Sequence, residues 1–69
     1  MNEKIEFAIE QFNKLDSILQ SKVELLNQIT KDSRDDEVIK RFQNKISGIK
    51  LAKEEIRRSI QDLKQLCQD

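Results

Sequence analysis

The apolar positions of this chain form mirror pairs about Arg34: Ile5 with Leu63, Ala8 with Ile60, Phe12 with Ile56, Leu15 with Lys53, Leu19 with Ile49, Lys22 with Ile46, Leu26 with Phe42 and Ile29 with Ile39. Each arm repeats its stripe every three or four residues, the spacing that puts side chains on one face of a helix. Stripes that mirror each other about a midpoint become neighbours when the chain doubles back. The pattern predicts an all-α fold, an antiparallel two-helix hairpin of coiled-coil type.

A chain of 69 residues makes one domain, residues 1–69, and buries little apolar area per residue. A hairpin this small is expected to complete a bundle by oligomerisation or with a partner. Proline is absent and Gly48 is the single glycine, so nothing breaks long helices. The 13 basic and 13 acidic residues cancel, leaving no overall field to attract nucleic acid or an anionic membrane. One cysteine, Cys67, excludes an internal disulfide, and a chain without histidine lacks the usual zinc spacings. The opening Met1-Asn2-Glu3-Lys4 carries no cationic segment leading into an apolar stretch, and no apolar run reaches the roughly 18 residues of a membrane span. A soluble, cytoplasmic protein without a signal peptide is expected.

Helix one is predicted over about residues 3–31, capped by Asn2, with Glu3 and Glu6 placed favourably against the helix dipole. The turn falls at 32–36, a polar cluster in which Ser33 and Asp36 have the spacing of a capping box. Helix two is predicted over about 35–66. In heptad terms, Ile5, Phe12, Leu19 and Leu26 alternate with Ala8, Leu15, Lys22 and Ile29 in helix one. Ile39, Ile46, Lys53, Ile60 and Cys67 alternate with Phe42, Ile49, Ile56 and Leu63 in helix two. Lys22 and Lys53 interrupt the seam, where their stems cover apolar neighbours and their ammonium groups reach outward.

The two flanks of the seam differ. One carries Asp16, Thr30, Gln43, Lys50, Arg57 and Lys64, with Ile9 and Val23 between them, and is expected to face water. The other sets Ile18 and Leu25 beside Val38, Ala52, Ser59 and Leu66, interrupted by Gln11 and Lys45. An apolar flank with small residues in its middle is a surface for another helix, so Ile18, Leu25, Val38, Ala52 and Leu66 are the expected partner-binding residues. Phe7 and Leu51 are expected to extend it, and Gly48 to mark a bend or the close approach of a partner.

Catalytic chemistry has no foothold. The paired carboxylates Asp35-Asp36 and Glu54-Glu55 lack the concave, partly dry setting that tunes an acid or base. There is no phosphate-cradling glycine loop, nucleophile motif or dinucleotide fingerprint, and Cys67 falls in the seam register. The expectation is a non-enzymatic interaction module without cofactor or metal. The alternative is an RNA-binding homodimeric four-helix bundle, since residues 37–66 hold eight basic against four acidic residues and Lys50, Arg57, Arg58 and Lys64 form a basic ridge. The zero net charge, the acidic turn and the absence of Tyr and Trp weigh against it.

The stretch Lys31-Asp32-Ser33-Arg34-Asp35-Asp36, followed by Lys40-Arg41-Phe42-Gln43, resembles the small helical-hairpin co-chaperones of type III secretion needle subunits. That family carries a polar turn followed by a basic residue, an aromatic and Gln, although its members often have glycine in the turn where this chain has charged residues. The resemblance implies a cytoplasmic protein that pairs with a larger helical-repeat chaperone and, with it, keeps a needle subunit from polymerising early.

Overall fold

In a computed structural model, which describes residues 3–68 (the side chain of Gln68 excepted), the chain forms two helices, α1 (Glu3–Asp32) and α2 (Asp36–Gln68). They are 30 and 33 residues long, so at 1.5 Å per residue their axes run about 45 and 50 Å. The molecule is 53 Å in its longest dimension and 14 by 11 Å across, which fits two helices only side by side. The antiparallel hairpin is thus the architecture. Each helix extends a residue or two beyond its predicted end, and the cap expected at Asn2 lies outside the described residues.

The reversal takes place over residues 33–35. The Ser33 amide donates to the Thr30 carbonyl at 3.3 Å and closes α1. Asp35, rather than the expected Ser33–Asp36 box, caps α2: its Oδ1 accepts from the Glu37 amide at 3.0 Å while its carbonyl accepts the first helical bond, from Ile39, at 3.0 Å. Ser33 plays a subsidiary part, its Oγ accepting from the Asp35 amide at 3.3 Å. Asp36 and Glu37 then lie in the first turn of α2, where negative charge favours the dipole. The helix runs unbroken through Gly48, whose φ is not positive.

In α2 the inward face is the predicted one, with Ile46, Lys53, Ile56 and Ile60 buried and Ile39, Phe42, Ile49, Leu63 and Cys67 half-buried. In α1 half of the expected seam is corrected. Ile5, Phe12, Leu19 and Leu26 turn inward, but they alternate with Ile9, Asp16, Val23 and Thr30 instead of Leu15, Lys22 and Ile29. Val23, assigned from sequence to the wet flank, is the most buried residue named in the core at 3% exposure, whereas Leu15 and Ile29 stand 44% and 46% exposed. Ala8 remains half-buried at the edge. The mirror centre therefore alternates between Arg34 and the Arg34–Asp35 bond, matching Ile9 to Ile60, Asp16 to Lys53, Val23 to Ile46 and Thr30 to Ile39 in level.

Polar side chains at these inward positions are accommodated locally. Thr30 donates its hydroxyl to the Leu26 carbonyl at 2.8 Å, which removes the cost of placing it there. Lys53 lays its stem along the seam and donates from Nζ to Gln20 Oε1. Among the described residues, no apolar side chain is wholly sealed from solvent, and the core is thin.

Candidate interaction surface

The displacement of Leu15 and Ile29 from the seam enlarges the apolar flank. Leu15, Ile18, Leu25 and Ile29 recur on α1 at intervals of three, seven and four residues, with Lys22 completing a second stripe beside the one that packs on α2. Ile18 is 55% and Leu25 60% exposed. Across the groove, α2 contributes Leu66 at 61% exposure, exposed Ala52 and half-buried Val38 and Ser59. Of the five residues expected to bind a partner, Ile18, Leu25, Ala52 and Leu66 are exposed and Val38 is half-buried, and Leu15 and Ile29, which sequence reasoning placed in the core, are exposed as well.

Two details make this side smoother than its sequence suggests. Ser59 donates its hydroxyl to the Glu55 carbonyl at 3.0 Å, so its polar atom already has an acceptor. Lys45 lies back with its ammonium 5.5 Å from the centre of the Phe42 ring, which draws its charge toward the seam. Phe7, 62% exposed, stands one turn before Gln11 at the border of the band. Leu51 does not belong to it: the residues one and two turns away on its strip are Asn44, Ser47, Glu55 and Arg58.

The opposite flank is polar throughout, with Glu6, Asn13, Gln20 and Asn27 on α1 against Gln43, Lys50, Arg57 and Lys64 on α2, all exposed. Lys50 and Arg57 border a shallow cleft with Gln20, Lys53 and Glu54. Lys50, Arg57 and Lys64 stand at seven-residue spacing, and Arg58, also exposed, pairs with Glu55 at 3.7 Å. Near the turn, an open depression on α1 is bordered by Ser21, Glu24, Leu25 and Gln28.

Among the described residues, no group of three or more acidic, cysteine or histidine side chains is placed to hold a metal ion, and no helix is long and apolar enough to cross a membrane. The chain matches no protein-family model, and no curated protein or solved structure is similar to it.

Proposed function

We propose that this chain is a non-enzymatic protein–protein interaction module whose apolar flank covers a helical surface of another chain. The observation that carries the reading is the exposed stripe Leu15, Ile18, Leu25 and Ile29, at helical spacing along one side of α1. Scattered exposed leucines are ordinary, but a stripe running along one side of a hairpin is the form of a contact that a second helix completes. These side chains are already about half covered, so burying the rest of each contributes roughly 1 kcal/mol, and several together are a substantial gain for so thin a core. In its narrower form the module is a co-chaperone, stabilising a helical partner or a type III secretion subunit. That form rests on the likeness of the turn and the start of α2 to the needle-subunit co-chaperones.

The test is affinity purification with tagged wild-type chain and with the Ile18→Asp, Leu25→Asp variant, followed by mass measurement of what is retained. Proteins held by the wild type and lost by the variant, with helicity kept, support the surface. Identical retention contradicts it.

A second reading, an RNA-binding module, draws on Lys50, Arg57 and Lys64 lying exposed on the polar flank. Neutralising all three would then weaken RNA binding and lower its salt dependence by about three charges. Absence of any salt-sensitive RNA shift by the wild-type chain at micromolar concentration rejects it.

A further inference from the structure

We infer that the occupant of the apolar flank is a second copy of this chain, laid across the first in antiparallel orientation to close a four-helix bundle with two-fold symmetry. This rests on the reading of that flank as a binding surface and names what fills it.

The argument starts from levels along the hairpin. A two-fold axis between stacked hairpins and perpendicular to their length sets α1 against the partner's α1 and α2 against the partner's α2, each antiparallel. Placing the axis at Ala52 fixes the rest, because Ala52 lies level with the bond between Asp16 and Ser17 in the hairpin register. These points are also close to the middles of α2 and α1, so the two copies overlap over nearly their full length.

At that register most of the facing side chains match in kind, the exception being Ile29, which falls opposite the partner's Lys4. Leu15 meets the partner's Ile18, and Ala8 meets the partner's Leu25. Gln11 and Lys22, the polar breaks in the α1 stripe, fall opposite each other instead of opposite leucine. On α2, Val38 meets the partner's Leu66, with Ala52 on the axis and Gly48 and Ser59 beside it as small residues that allow close approach. Arg41 lies within one residue level of the partner's Asp62, and both are exposed.

Charge also selects this orientation over its rival. With both turns at one end, α1 packs on the partner's α2 at the hairpin levels, which brings both Lys22 and Leu25 within two residue levels of Lys45. In the antiparallel pair Arg41 of each copy instead approaches the partner's Asp62. The hairpin is 53 Å long, and with the axis near its middle the two copies share nearly that whole length.

The test combines mass, charge exchange and a thiol on the axis. At micromolar concentration the chain of 8.2 kDa should sediment as a dimer. Arg41→Glu and Asp62→Lys should each weaken it by about tenfold, since two pairs per dimer are reversed, and mixing the two variants should restore wild-type affinity because both pairs are then complementary. In a Cys67→Ser background, Ala52→Cys should oxidise to a linked dimer far faster than Leu51→Cys. A monomeric mass, a mixture no tighter than either variant alone, or equal linking at 51 and 52 overturns the inference. A monomeric wild type that still loses a foreign partner through Ile18→Asp, Leu25→Asp leaves the surface in place and removes only the second copy. A dimer indifferent to that variant removes both.

Discussion

Lys53 donates its ammonium to Gln20 on the polar flank, although it shares a seam level with Asp16. No ion pair joins Asp16 to Lys53, and Asp16 Oδ1 is buried with no hydrogen-bond partner. A carboxylate oxygen held this way opposes folding. Asp16→Leu should therefore stabilise the hairpin by about 1–3 kcal/mol, seen as a higher urea midpoint. A lower midpoint would mean that Asp16 compensates the Lys53 charge.

The corrected register of α1 gives the second prediction. In the Ile18→Asp, Leu25→Asp background, where association does not contribute, Val23→Ala should cost about 1.5–3 kcal/mol because Val23 is buried. Leu15→Ala, at an exposed position, should cost less than about 1 kcal/mol. Urea titration of the two variants decides between the seams, and the reverse ranking would restore Leu15 to the core.

Removing the cap should loosen the start of α2. Asp35→Ala is expected to cost about 0.5–2 kcal/mol, and Ser33→Ala less, because Asp35 holds an amide of the helix itself while Ser33 holds only a turn amide. Amide exchange at residues 36–39 should quicken in the first variant and change little in the second.

Gly48 is a place to gain stability. A Cβ built there meets nothing within 4 Å, and the position is helical and exposed. Gly48→Ala in the association-deficient background should add about 1 kcal/mol, measured by thermal melting. A loss would show that the free hairpin needs a conformation there that alanine resists.

The sequence pattern described α2 residue by residue, because Ile39, Ile46, Ile56, Ile60 and Leu63 leave it a single apolar stripe. In α1 two stripes share Ile5, Phe12, Leu19 and Leu26, and each alternative set contains one charge: Lys22 with Ala8, Leu15 and Ile29, or Asp16 with Ile9, Val23 and Thr30. Summed hydrophobicity favours the first set, yet the chain buries the second. The available signal was the company each set keeps. Had Leu15 and Ile29 gone inward, Ile9 and Val23 would have been stranded among Asn13, Gln20 and Asn27; the observed choice gathers the leftover apolar residues with Ile18 and Leu25 into one band. The cap was misassigned because Ser33 and Asp36 fit a known spacing, and nothing in the sequence alone ranked Asp35 above them. The exposure of Ile18 and Leu25 was legible because they lie outside both stripes.

Every surface described above exists because the chain doubles back at residues 33–35. Spin labels at exposed Glu6 and Lys64, in a trace of doubly labelled chain diluted into unlabelled protein, measure that within single molecules. The hairpin predicts a separation of about 15–25 Å, set by an 8–10 Å interhelical distance plus the label arms. One continuous helix would place the labels about 87 Å apart, and a distance of that order would contradict the account.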